Sequence, residues 1–206
     1  MKLIKLSVII ALIVLSAELK AESGVRSWHV RSGMFNYNHA GIVSQSGSGS
    51  AAIQLEWSYY NTLYDATILS YKRIVNDSDR TLYQAFSAGV RYFPLNAAYS
   101  TLYQTQEETI SYDVSHTFYT DISVTFGRYL ISVFGNPPIY DLSSDFIGAS
   151  FAAGWSYQLT MSVAFDVQVA FGYAIGFNSP VAFSASDNTI LMGITLIYGN
   201  QKFGSV

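Results

Sequence analysis

The chain of 206 residues contains no cysteine, only four prolines, and charged residues at 12% of its length. The missing cysteine excludes a disulfide scaffold, a thiolate metal cluster and lipoprotein processing. Ordinary soluble domains are about 25% charged, so half of the usual water-facing side chains are lacking. A formal net charge of −3 leaves no basic patch to attract nucleic acid. No Gly-rich loop precedes a helix, so nucleotide binding has no support. What is present is apolar and aromatic: 50% of the residues are hydrophobic, with 16 Tyr and 13 Phe. A chain of this composition can bury ample surface, which excludes intrinsic disorder, and its length suits one domain.

Met1 to Lys5 carries two lysines, Leu6 to Leu15 is apolar apart from Ser7, and small residues follow at Ser16, Ala17 and Ala21. This is the pattern of a secretory signal peptide, expected over residues 1–21. The stretch is too short for a membrane helix, which needs about 20 residues. Cleavage after Ala21 removes Lys2, Lys5, Lys20 and Glu18. Residues 22–206 then hold eight basic and 13 acidic residues, a net of −5. In them no uninterrupted apolar run reaches twelve residues.

Residues 161–175 resolve the conflict between export and scarce charge. Met161, Val163, Phe165, Val167, Val169, Phe171, Tyr173 and Ile175 share one parity, and the intervening positions are small or polar. Period-two alternation belongs to a strand with one bulky face. Soluble strands average about five or six residues, whereas a membrane-spanning barrel strand needs roughly 9–11. The same alternation recurs around Ile53–Tyr60, Leu82–Tyr92, Phe146–Tyr157 and Ile190–Tyr198, with Gln84 an exception on its bulky face. Backbone amides in lipid must all be paired, so exported strands span only as a closed barrel. A soluble lipocalin-like barrel is the alternative, but it would need a charged outer row instead of Ala, Gly and Ser.

The expected fold is therefore all-β, a transmembrane antiparallel up-and-down barrel. Its strands are placed near 25–37, 51–61, 64–75, 80–93, 119–134, 145–157, 160–175 and 188–199. Outer loops are expected at 38–50 (including the Ser/Gly stretch Ser44–Ser50), 76–79, 135–144 and 176–187, with a tight turn at 61–63. Residues 94–118 are too long for a periplasmic turn. A hairpin capped by Glu107 and Glu108 would raise the count from eight strands to ten; an ordered periplasmic excursion is the other option.

Glu56, Arg91 and Asp166 fall on the small-residue faces, where they would form a charge network inside the lumen. Arg128 shares parity with Val124 and Phe126, which calls for a bulge at Gly127 or a snorkelling position near the rim. Among the three histidines, His116 has Ser115, Asp113 and Asp121 nearby, but strand neighbours point to opposite faces. No catalytic site, cofactor or bound metal is expected. Asp77 and Asp79 are too few carboxylates for calcium.

Gly89-Val90-Arg91-Tyr92-Phe93 resembles a strand end of the small outer-membrane barrels of the OmpA/OmpX-like superfamily. The closing strand, with Gly193, Leu196 and Tyr198, resembles the assembly signal of such barrels. It departs from that signal at Leu191, usually polar, and in a tail from Gly199 to Val206 that carries Phe203. The resemblance covers residues 22–206 as architecture. It implies an outer-membrane location, with lipid, lipopolysaccharide and the barrel-assembly machinery as partners. It also implies a non-enzymatic structural or surface-interaction role through the outer loops. The alternatives are a lipid-modifying enzyme using His116 or His29, and a narrow conduit for small hydrophobic molecules.

Overall fold

A computed structural model describes residues 25–40, 45–62, 64–76, 81–95, 101–104, 109–112, 116–133, 140–160, 162–177 and 184–198. The described residues form ten strands: β1 (Arg26–Ala40), β2 (Gln45–Tyr60), β3 (Asp65–Asn76), β4 (Thr81–Tyr92), β5 (Thr101–Gln104), β6 (Thr109–Tyr112), β7 (His116–Val133), β8 (Tyr140–Thr160), β9 (Val163–Phe177) and β10 (Ser184–Tyr198). Eight of them close a barrel in the order β1-β10-β9-β8-β7-β4-β3-β2, and every neighbouring pair is antiparallel. β5 and β6 pair only with each other. The excursion in residues 94–118 therefore contains a hairpin, but the barrel has eight strands and not ten: β4 joins β7 directly, with Tyr92 opposite Thr120. Glu107 and Glu108 lie outside the described residues.

The start of β1, the end of β10 and the β2–β3 turn share one end of the barrel, called here the turn end. Asp65 anchors that turn: its carbonyl accepts from the Asn61 and Thr62 amides, and its carboxylate accepts from the Asn61 side chain (2.8 Å) and the Thr62 hydroxyl.

Strand lengths exceed the sequence expectation at the opposite, loop end. β1 runs to Ala40 and β2 begins at Gln45, so Gln45–Ser50 is strand and not flexible loop. Small Ser and Gly residues leave the ladder intact there, with Tyr37 opposite Gly47, and a bulge between Phe35 and Tyr37 absorbs the offset.

The wall is apolar outside. Val30, Ile53, Val90, Ile122, Phe171 and Met192 are each more than half exposed. A water-facing wall would carry charge on roughly a quarter to a third of its surface. This one is built for hydrocarbon, and the closed ladder leaves no strand edge unpaired. All three tryptophans, Trp28, Trp57 and Trp155, lie toward the turn end, where Trp57 Nε1 donates to the Tyr198 hydroxyl at 3.2 Å. Indole and phenol rings favour such an interfacial girdle. Tyr59, expected on the lipid face, is buried instead, its ring covered by Trp57 and the Arg26 guanidinium.

Closure rests on β1 and β10, which pair along all 15 positions. A Cβ on Gly193 would sit 1.9 Å from the Val30 carbonyl oxygen, and one on Gly33 would sit 2.0 Å from that of Ile190. Only glycine allows this approach. Gly193→Val is expected to reduce the folded fraction sharply, read as the mobility difference between unboiled and boiled protein refolded into micelles. Ala153→Val, on the exposed face of β8, should leave that fraction unchanged.

Candidate functional site: the lumen

Inward side chains fill the barrel in layers. At the turn end Val25, Tyr60, Ala66, Phe93, Tyr119, Ala164 and Ile197 form an apolar floor. Above it lies an ionic layer in which Arg31 and Arg91 are fully buried. Arg31, on β1, donates through Nε to Asp166 Oδ1 at 2.7 Å and through Nη1 to Glu56 Oε2 at 3.1 Å. Arg91, on β4, donates through Nη2 to Glu56 Oε1 (2.7 Å) and Asp121 Oδ2 (2.7 Å), and through Nε to Asp121 Oδ1 (2.8 Å). The Arg91–Asp121 pair is thus bidentate, the strongest geometry for this ion pair. Tyr119 donates to Asp166 at 2.8 Å while its ring lies 3.9 Å from the Arg91 guanidinium.

His29 sits in the middle of this layer, fully buried. Its Nδ1 lies 2.7 Å from Thr195 Oγ1 and 3.0 Å from Arg31 Nη2; its Nε2 lies 2.8 Å from Ser27 Oγ and 3.2 Å from both Ser58 Oγ and Arg91 Nη1. Both ring nitrogens are engaged by the scaffold, which leaves the imidazole no open face toward a substrate.

Toward the loop end a cavity of about 40 Å³ separates the ions from an aromatic cap. A single water needs about 10–15 Å³, so the space suits a few waters. Glu56, Asp121 and Gln168 line it below, Tyr83, Phe146 and Leu191 above. In the cap, Tyr83 stacks on Phe146 (5.3 Å) and packs edge-on to Tyr129 (4.8 Å), with Phe35 5.4 Å away. Lys72 crosses the same level, its Nζ 3.4 Å from Asp187 and 5.5 Å from the Tyr83 ring centre. Leu191, which departs from the usual polar residue, is buried in this cap and belongs to its apolar cluster.

The three charges singled out in the sequence meet in one layer. Glu56 contacts Arg91 directly, and Arg31 bridges Glu56 to Asp166. Sequence reasoning did not single out Arg31 or Tyr119, and named His29 and Asp121 only as catalytic candidates, not as members of this layer. All four are odd-numbered and on the inward parity of their strands, so parity counted strictly along β1 and β7 would have placed them. His116 and Asp121 are not brought together: Asp121 points into the lumen, while His116 is exposed, stacks on Trp155 and meets Tyr157 at a tilt outside. Ser115, Asp113, Asp77, Asp79 and the His39 side chain lie outside the described residues. No bulge occurs at Gly127, which pairs in register with Ala85 and Phe146. Arg128 faces outward toward the loop end, its Nε donating to Asp145 at 2.7 Å. Gly193 lies at the β1–β10 seam, and Leu196 and Tyr198 are exposed on the outer face.

A closed, antiparallel eight-stranded barrel with an apolar wall and a packed polar lumen is the fold of small outer-membrane barrel proteins. Among solved structures the chain is similar to Neisserial surface protein A, at a TM-score of 0.56 and 17% identity, over 82% of this chain and 96% of that one. It is also similar to the outer membrane protein OprG from Pseudomonas aeruginosa, at a TM-score of 0.51 and 10% identity, over 86% and 97%. No family model matches the chain, and no curated protein matches its sequence.

Breaking a buried ion pair from one side strands the partner charge, at about 3–5 kcal/mol. Arg91→Ala leaves Asp121 in that position, while Glu56 keeps Arg31, so its urea midpoint in lipid vesicles, followed by tryptophan fluorescence, is expected to fall by that equivalent. Removing Asp121 as well should recover part of the loss, because the stranded charge goes with it.

Proposed function

We propose that the chain is an integral outer-membrane protein, exported by the signal peptide at residues 1–21, which lie outside the described residues. Its role is non-enzymatic, in envelope structure or surface interaction, and the working parts are the connections at the loop end. Gly193, Leu196 and Tyr198 serve as the signal read by the barrel-assembly machinery.

The observation that carries this reading is the stacked filling of the lumen. An apolar floor, a bonded ion layer and an aromatic cap lie in series, each formed by side chains from strands on different sides of the barrel. An eight-stranded barrel is just wide enough to be filled this way. Such a cylinder is a rigid support, and rigid supports commonly present recognition on loops. A hydrolase or acyltransferase needs a nucleophile, a base and an orienting group around a reachable space. Here His29 is enclosed by its own partners, and His116 stands on the opposite face from Asp121.

Fractionation of cells is expected to place the chain with the outer membrane, and lipid profiles from cells with and without the gene should coincide. A changed acyl pattern would replace this reading with the lipid-modifying one. Reconstituted protein should give no discrete conductance steps in planar bilayers and no hydrophobic-solute uptake in vesicles; activity in either would restore the conduit.

A further inference from the structure

The outer wall carries a charged and polar row across β3, β4, β7 and β8 where the alternation requires apolar residues. Arg73 on β3 pairs with Gln84 on β4, Gln84 with Arg128 on β7, and Arg128 with Asp145 on β8. All four face outward. The row directly beneath them, two residues toward the turn end, is Tyr71, Phe86, Phe126 and Ile147, again paired strand to strand. Tyr71 and Phe86 are in ring contact at 4.9 Å. A line of guanidiniums thus lies immediately above a line of apolar side chains.

The height of this row follows from the ladder. Phe118 and Trp155 pair ten residues toward the turn end from Arg128 and Asp145. A tilted barrel strand crosses the hydrocarbon in about 9–11 residues. With the aromatic pair at one interface, the arginines stand at the other. Of the basic residues described, Arg31, Arg91 and Lys72 are turned into the lumen and Arg26 lies at the turn end. Arg73 and Arg128 are the outward cations of the loop-end half among the described residues, on a chain whose net charge is negative. They are two strands apart, about 9–10 Å between backbones, within joint reach of one phosphate for side chains of this length. Arg128 is held by Asp145 through Nε. Of the five guanidinium donors, that bond uses one.

We infer that Arg73, Gln84 and Arg128, with the apolar row below them, form a binding site for a phosphorylated glycolipid of the lipid A type. Phosphate is held by the two guanidiniums, a sugar hydroxyl or amide by Gln84, and the acyl chains lie along Tyr71, Phe86 and Phe126. The inference rests on the outer-membrane location proposed above, because that leaflet supplies the glycolipid. Phosphate favours arginine through paired, charge-assisted hydrogen bonds. The apolar row supplies the contact that a free phosphate could not use.

The test is native mass spectrometry of the folded chain released from micelles after incubation with bis-phosphorylated lipid A, its dephosphorylated form, or phosphatidylglycerol. The expected result is retention of phosphorylated lipid A about tenfold above either other lipid, as for a charge-assisted phosphate contact. Arg73→Gln with Arg128→Gln should bring retention down to the level of the dephosphorylated form, with the gel mobility of the folded barrel unchanged. Equal retention of phosphorylated and dephosphorylated lipid A by the unaltered chain overturns the site without recourse to any variant. So does a folded double variant that keeps the preference. Phosphatidylglycerol held as firmly as lipid A overturns the glycolipid as occupant. Failure of the location reads differently: the unaltered chain would then sediment away from the outer membrane, whatever it binds in micelles.

Discussion

The structure depends on one constraint: inside hydrocarbon no backbone amide can be left without a partner. Strands meet it only by closing on themselves, so β1 must find β10 across nearly the whole sequence. The 15-position register between them is the consequence. Glycines at that seam let the backbones approach where any side chain would collide. Closure then fixes the rest. One parity of every strand faces lipid and becomes bulky and apolar, and the other is confined to a narrow interior that must be filled.

Much of this was legible in the sequence because alternation is a two-state signal. Val163–Ile175 states which face is which, and the parity of Glu56, Arg91 and Asp166 placed them inward. Strand ends were less legible, since Gln45–Ser50 has the composition of a loop and pairs as strand. Composition reports what a segment tolerates; the ladder reports what its neighbour requires. The ion layer was legible only in part. Its centre, Arg31 and His29, sits on β1, where Ser, Gly and Asn weaken the alternation. The contacts also join residues as far apart in sequence as Arg31 and Asp166, a juxtaposition that no local pattern encodes. The aromatic cap was hidden for another reason: Tyr83 and Phe146 fall on the small-residue parity of their strands, but single rings among Ala, Gly and Ser do not announce that they meet. An interior that tapers from ions to rings needs large side chains on some strands and Ala or Gly opposite them. Gly127 against the Phe146 ring and Gly154 against Tyr119 are that complement.

The buried ions raise a separate question, since buried salt bridges are weak evidence for stability. Two guanidiniums among three carboxylates are costly to remove from water, and an apolar filling of equal volume could be as stable. What an apolar filling lacks is direction. Arg31 on β1 ties to β2 and β9, and Arg91 on β4 ties to β2 and β7. Two of them join ladder neighbours, and two, Arg31–Asp166 and Arg91–Glu56, run across the lumen between strands that share no ladder. A slip of one residue in any of those strands would turn its partner to the opposite face, and the charges would then meet lipid. The ion layer therefore penalises wrong registers far more than it rewards the right one.

That asymmetry bears on where function can reside. A barrel whose register is locked from within tolerates variation at its loop end and on its outer wall, because neither participates in the lock. Arg128 illustrates the point: it interrupts the apolar face of β7 with no bulge and no break in pairing. Its ion pair with Asp145 lies outside the lumen, so the interior layers are unaffected by its presence. A charge on an outward row thus costs the interior packing nothing. The lumen accounts for the fold, and the exterior can vary without disturbing it.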